Sequence, residues 1–359
     1  MANINLKQAR KAKNDEFYTQ WCDIEKEVMA YIDYNPDVFR GKTVLLPCDD
    51  PEWSNFTKFF AQNFEVFGLK KLISTSYAYE SKKVNMPYQT SLFEEQAPHF
   101  DPDINKIRGK IFTLDHDTNQ NGVIDIEDLE WQYLEGDGDF RSDEVKKLRD
   151  EADIIITNPP FSLFREFLAW ITEANKQFLI IGNINCLTYK EVFLKIKDNK
   201  AWLGTGIGRW ISGFIVPESY QLYGSEARIE NGNRIVATNN CLWLTNIDHG
   251  KRYQPLQLQT MARNIKHSKH KEVRGHEYQK YDNYDAIEVP FTDAIPSDYE
   301  GVMGVPISFL DKYCPEQFEI IDINPHFFSL IEQGLPKIKQ LSLENSKKDP
   351  YARILIKRK

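Results

Sequence analysis

Short apolar runs recur through the first 200 residues, most with a stretch of helical spacing close behind. That alternation restricts the fold more than any other feature of the chain. The runs are residues 42–46 (KTVLL), 72–76 (LISTS), 109–114 (GKIFTL), 152–157 (ADIIIT) and 178–182 (FLIIG), with helical stretches near 56–64, 164–171 and 189–197. Strands this compact and apolar fit a sheet covered on both faces, so the expected class is α/β, mostly parallel, with helices on each side. Past residue 213 the pattern changes, and 214–216 and 241–245 read as strands without helices between them. A boundary near Asp248, where Gly250 and a polar, basic stretch follow, divides the chain into residues 1–248 and 249–359.

Composition bounds the function classes. Hydrophobic residues make up 41% and charged residues 27% of the chain, which excludes a wholly disordered polymer. No apolar run reaches the roughly 18 residues of a membrane span, and a basic start with no apolar stretch behind it leads to the expectation of no secretory signal. Cys22, Cys48, Cys186, Cys241 and Cys314 are odd in number and scattered, which suits a reducing cytoplasm and neither a disulfide framework nor a zinc site. The net charge of −8 hides an uneven distribution. Residues 115–153 hold 14 acidic and 4 basic side chains, a local −10, so the remainder sums to +2. Residues 261–280 hold six Lys/Arg, three His and two Glu, and the tail ends in RILIKRK. Polyanions bind local basic surfaces, so DNA is not excluded.

The most informative tetrapeptide is Asn158-Pro159-Pro160-Phe161, at the end of ADIIIT. Ligands of open α/β sheets bind beyond the carboxyl ends of strands. Two prolines hold the chain extended and stiff, and that stiffness can aim the Asn158 carboxamide oxygen and the Pro159 carbonyl at one point. Two acceptors there match the two hydrogens of an exocyclic amino group, and drawing them off plane turns the nitrogen lone pair toward a methyl donor. Phe161 offers a face for a planar ring. Upstream, Asp139-Phe140 (in GDGDFRS) pairs an acid with an aromatic. Asp15-Glu16-Phe17-Tyr18-Thr19 and Leu46-Pro47-Cys48-Asp49-Asp50-Pro51 are further candidate segments.

Taken in order, KNDEFYT, LLPCDDP, GDGDFRS, ADIIITNPPFSLFREFL, FLIIGNINCLTYKEVF and DYEGVMGVPISFLDKYCPEQFEII resemble the EcoRI methylase family of DNA adenine-N6 methyltransferases. The resemblance implies a Rossmann-like class I methyltransferase sheet, S-adenosylmethionine as cofactor, and the N-terminal segment folded back onto it. It also implies that Asn158, Pro159 and Phe161 hold the target adenine, with Pro160 in the same motif. Asp139 and Phe140 would contact the cofactor's adenine, and Phe17, Tyr18 and Thr19 its methionine end. The turn Pro47 to Asp50 would carry the acid for the cofactor's ammonium, either Asp49 or Asp50. Two features depart from the usual pattern: no glycine lies between Lys42 and Phe56, and the second strand ends in Ser74-Thr75-Ser76 without an acid. Gly204-Thr205-Gly206-Ile207-Gly208 opens no helix and reads as a loop. The GxGxG spacing carries no cofactor role here.

An adenine inside duplex DNA reaches such a pocket only when flipped out. The expected grip on the duplex is Arg263, Lys266, Lys269, Lys271 and Arg274, in a C-terminal target-recognition region. Two settings stay open, a restriction-modification system with a separately encoded endonuclease as partner and an orphan modification system; a monomer is the expected state. Two alternatives are a protein glutamine-amide methyltransferase, whose substrate presents the same two hydrogens, and a non-catalytic DNA binder on this fold. Finally, Asp117, Asn119, Asn121, Val123, Asp125 and Asp128 fit the twelve-residue calcium loop, with Gly122 at its sixth position. A structural calcium ion is expected in that acidic insertion, residues 115–130.

Overall fold

The computed structural model describes residues 18–49, 54–78, 101–206, 211–216, 227–230, 232–236, 240–334, 340–343 and 352–359. The chain divides into two compact units. One comprises Met1–Ile184 and Gly204–Asp248, the other Asn185–Leu203 and His249–Lys359.

In the first unit, four parallel strands stand side by side in the order Lys71–Ser76, Thr43–Leu46, Ile154–Thr157 and Gln177–Asn183. Every residue of Thr43–Leu46 and of Ile154–Thr157 is buried, as their unbroken apolar runs require. The pairings at the flanks are antiparallel. Lys110–Leu114 is antiparallel to Lys71–Ser76, Glu130–Tyr133 pairs antiparallel outside it, and Cys241–Thr245 is antiparallel to Gln177–Asn183. The sheet is therefore mixed, parallel only at its centre. The expectation of a mostly parallel sheet covered on both faces fails at Lys110–Leu114, whose burial alternates residue by residue.

Helix Trp21–Tyr34 buries Ile24, Val28 and Tyr31, one face at helical spacing. Helix Asn55–Gln62 starts at Ser54, whose hydroxyl accepts the Phe56 N–H at 3.1 Å. Its Phe59 and Phe60 pack with Phe39 and Phe67 at ring separations of 5.5–5.9 Å. Much of the chain's aromatic content thus fills core. Each such ring contributes about 1.5–3 kcal/mol on full burial. A second, antiparallel sheet follows the order Tyr18–Thr19, Phe214–Val216, Asn233–Val236, Arg228–Glu230.

In the second unit, Ala286–Glu288 pairs parallel with Val302–Pro306, and Arg353–Arg358 lies antiparallel between Val302–Pro306 and Phe318–Asn324. The C-terminal tail is thus not a free basic arm. Ile354, Leu355 and Ile356 are fully buried, and Arg353 is spent on the Glu288 carboxylate at 2.7 Å. Helix Lys190–Lys197 buries Val192, Phe193 and Ile196, and Phe193 meets Phe328 at 6.0 Å. Among the described residues no helix is long and apolar enough to cross a membrane.

Candidate active site

The turn after Thr43–Leu46 is pinned from several directions. The Asp49 N–H donates to the Thr75 carbonyl at 3.1 Å, the Ser74 hydroxyl donates to the Asp49 carbonyl, and the Thr75 hydroxyl donates to the Pro47 carbonyl at 3.0 Å. Residues that replace the expected acid at the end of Lys71–Ser76 therefore hold this glycine-free turn. The Asp49 carboxylate, 6% exposed, accepts the Ser54 hydroxyl at 2.7 Å and the Thr157 hydroxyl at 2.6 Å. Thr157 immediately precedes Asn158, so one carboxylate links the turn to the Asn-Pro-Pro-Phe strand end. Asp50 lies outside the described residues.

Asn158 is half-buried with its Oδ1 atom inside, Pro159 is buried, and Pro160 is extended at φ −55° and ψ 121°. The chain then makes the single turn Phe161–Leu163 and enters helix Phe164–Glu173. The half-buried Phe161 ring meets Phe214 edge-on at 6.4 Å. Phe214 pairs through its main chain with Thr19, whose carbonyl accepts the Asn55 amide at 2.8 Å. The fold thus brings Tyr18 and Thr19, the Pro47–Asp49 turn and the Asn158 motif into one neighbourhood. Phe17 lies outside the described residues.

Asp139 follows a turn pressed against the end of Lys71–Ser76. Gly138 has φ +83°, and a Cβ there would collide with the Ser76 carbonyl, so only glycine fits. Ala78 N–H donates to the Asp137 carbonyl at 2.8 Å. The Asp139 carboxylate takes a fork from Arg141, Nε at 2.9 Å and Nη2 at 2.6 Å, with the Tyr77 hydroxyl at 3.4 Å. Arg141 holds the Asp139 carboxyl below the usual carboxylate range, against the opposing pull of burial. Arg141 also reaches Glu166 at 3.2 Å, on the helix that follows the motif. Phe140 is 5% exposed, its ring set edge-on against Phe167 at 5.1 Å and Trp170 at 5.7 Å. Its ring is thus largely buried in the core.

Comparison with known proteins adds a decisive observation. Residues 5–359 match the profile of the family described as adenine-specific methyltransferase EcoRI. The chain belongs to that EcoRI methylase family. It is 48% identical to the Type II methyltransferase M.EcoRI of Escherichia coli, over 99% of this chain and 97% of that protein. It is 34% identical to M.MgeORF184P of Mycoplasma genitalium over 99% of this chain and 98% of that protein. With M.MpnI of Mycoplasma pneumoniae it shares 34% identity over 89% and 86%, respectively. No solved structure matches significantly. As a member of the EcoRI methylase family the chain is an adenine-specific DNA methyltransferase, and S-adenosylmethionine is the methyl donor of such enzymes. The glutamine-amide and non-catalytic readings are set aside.

Of the five basic residues expected to grip DNA, all are exposed, but they are not equivalent. Lys269 is paired with Asp293 at 2.7 Å, and Asp293 also meets His270 at 2.8 Å. Arg263, Lys266, Lys271 and Arg274 make no ion pair among the described residues.

The calcium expectation for this EcoRI methylase chain finds no support. Among the described residues, no group of three or more His, Cys, Asp or Glu is placed to hold a metal ion. The physical reason lies in the loop's own hydrogen bonds. Asp117 accepts the Gly122 N–H at 2.8 Å, Asn121 accepts the Val123 N–H at 2.8 Å, and Asp125 accepts the Glu127 N–H at 2.8 Å. Asn119 accepts the Asn121 N–H at 3.0 Å. Asp128 accepts the N–H groups of Thr118, Asn119 and Asp125 at 2.9–3.1 Å, and the Thr118 hydroxyl at 2.9 Å. These side chains are thus engaged in the loop's own hydrogen bonds.

Sequence reasoning missed Thr157, Ser54, Tyr77, Arg141 and Phe214. Arg141 carried a usable signal, standing two residues after Asp139 in the same motif. Phe214 carried none, because only the strand pairing brings it to Phe161.

Proposed function

We propose that this chain transfers a methyl group directly to N6 of an adenine flipped out of double-stranded DNA. The observation that carries the reading is the Asp49–Thr157 hydrogen bond, which joins the turn after the first parallel strand to the Asn158 motif. Ligands of α/β sheets bind beyond these carboxyl strand ends, and the central strand arrangement supports a Rossmann-like reading of the sheet. The donors and acceptors present fit S-adenosylmethionine: Asp49 or Asp50 for its ammonium, Tyr18 and Thr19 toward its methionine end, Asp139 for its adenine.

When bound, S-adenosylmethionine would supply an electrophilic sulfonium methyl, its carbon–sulfur bond breaking to leave a neutral thioether as N6 takes the methyl and afterwards gives up one proton. Asn158 Oδ1 and the Pro159 carbonyl accept the two N6 hydrogens and orient the lone pair. Pro159 and Pro160 keep both acceptors stiff, and Phe161 stacks on the flipped ring. Preorganised acceptors in a dry site need no rearrangement as charge develops on nitrogen. Flipping costs a few kcal/mol, offset by that stacking and hydrogen bonding.

In this proposal residues 1–248 contain the catalytic machinery and 249–359 recognise the target. Arg263, Lys266, Lys271 and Arg274 meet phosphates. The setting is a cytoplasmic modification system with a separately encoded nuclease, and the protein acts as a monomer. Methylation mapping of DNA from cells expressing the chain tests the reading. N6-methyladenine at one short sequence supports it, and unmodified DNA overturns it.

A further inference from the structure

The proposed chemistry leaves a polar stripe on helix Trp21–Tyr34 unused. Gln20 precedes the helix, and Asp23 and Glu27 follow at spacings that keep all three on one side. Glu27 is 1% exposed and accepts the Tyr31 hydroxyl at 2.9 Å, the Thr205 N–H at 2.7 Å and the Thr205 hydroxyl at 3.0 Å. A Cβ on Gly204 would collide with that carboxylate and with Trp243, so the connection approaches this closely only as glycine. Asp23 accepts the Ser212 N–H at 3.0 Å and the Ser212 hydroxyl at 2.8 Å. Gln20 donates to the same hydroxyl at 2.6 Å and to the Gly213 carbonyl at 3.1 Å. One helix therefore holds both described ends of the 204–213 connection.

The next residue along the chain is Phe214. Its main chain pairs with Thr19 and its ring meets Phe161 edge-on. A buried carboxylate is costly unless its acceptors are satisfied, and directional hydrogen bonds fix a loop's placement where apolar packing alone tolerates slip. We propose that Asp23 and Ser212, with Gln20 and Glu27, form a positioning device that sets Phe214 and, through it, the Phe161 ring on which the target adenine stacks. The inference rests on the reading of Phe161 given above.

Four single variants, Asp23→Ala, Asp23→Asn, Ser212→Ala and Phe161→Ala, and the double variant of Asp23→Ala with Phe161→Ala test it. The measurements are kcat, KM for DNA carrying the mapped site, cofactor affinity and melting temperature. Asp23→Ala and Ser212→Ala should each lower kcat about fivefold or more with little change in cofactor affinity. Asp23→Asn, which keeps an acceptor for the Ser212 N–H, should restore most of the rate. In the Phe161→Ala background, Asp23→Ala should cost less than about twofold, because coupled residues are non-additive. Equal losses in both backgrounds, or an unchanged kcat in Asp23→Ala and Ser212→Ala, overturn the proposal. Should Asp23→Ala fail to fold, Ser212→Ala alone and combined with Phe161→Ala supports the same comparison. A Phe161→Ala variant with normal transfer would instead overturn the reading of the site itself, and the positioning role with it.

Discussion

Thr157 donates its hydroxyl to Asp49 at 2.6 Å, between residues 108 apart in sequence. Asn158 follows Thr157 directly, so the side chain proposed to hold the substrate nitrogen stands next in the chain to a residue anchored to the turn of the neighbouring strand. Thr157→Val keeps the shape of the side chain but removes its donor from a buried carboxylate. Stability in urea melts should fall by roughly 1–3 kcal/mol, and methyl transfer should fall with it. Transfer at the normal rate would reduce the bond to a structural role.

Asn158→Ala removes one of two acceptors at the reacting nitrogen. Transfer should fall by about a hundredfold or more, while cofactor affinity measured by calorimetry changes little. A variant within a few-fold of the parent rate would mean that the amino group is held elsewhere.

The basic residues separate into two groups that salt titration can distinguish. Changing Lys266, Lys271 and Arg274 together to Ala should flatten the salt dependence of duplex binding by two to three units, roughly one per phosphate contact. Lys269→Ala should change the slope less, because Asp293 already opposes its charge at 2.7 Å. Equal effects from Lys269 and Lys271, or none from the triple variant, would place the DNA surface elsewhere.

Acid stability should report the Asp139–Arg141 pair. Arg141 holds the Asp139 carboxyl below its ordinary 3.8. A group depressed in the folded state contributes stability that is present above the unfolded pKa and lost as pH falls through the folded one. Arg141→Ala should therefore be less stable than the parent at neutral pH, and the gap should close in acid. Carbon NMR of Asp139 should show its pKa rising in the variant, and an unchanged value would contradict the pairing.

The acidic insertion should depend on Asp128 rather than on an ion. Burial raises the Asp128 carboxyl, but the N–H groups of Asp125, Asn119 and Thr118 and the Thr118 hydroxyl outweigh it and hold it low. Asp128→Ala should lower the melting temperature, whereas calcium, magnesium and a chelator should leave the parent curve unmoved. A calcium-dependent rise would reinstate the ion.

The sheet's central strands were legible because Thr43–Leu46, Ile154–Thr157 and Gln177–Asn183 are compact apolar runs whose type needs no partner to be read. Their neighbours' direction was not legible, since the pairing of Lys110–Leu114 with Lys71–Ser76 depends on the path of the chain between them. The tail's place in a sheet was not legible for a related reason. Arg353 and Arg358 look like a basic arm, yet they bracket Ile354, Leu355 and Ile356, which need a sheet to cover them. At the site, the Asn-Pro-Pro-Phe motif announced itself through local stiffness. The Thr157 and Phe214 contacts are tertiary and left no spacing to find.

Because Asn185–Leu203 is built into the second unit while the chain on either side belongs to the first, the two units alternate along the sequence. Shuffling the second unit between relatives by a single crossover at residue 248 would set helix Lys190–Lys197, whose Phe193 meets Phe328 at 6.0 Å, against a surface taken from the other relative. A chimera that inherits the second unit whole needs crossovers on both sides of Asn185–Leu203 as well, so inheritance of the two units in this chain is tied together by its threading.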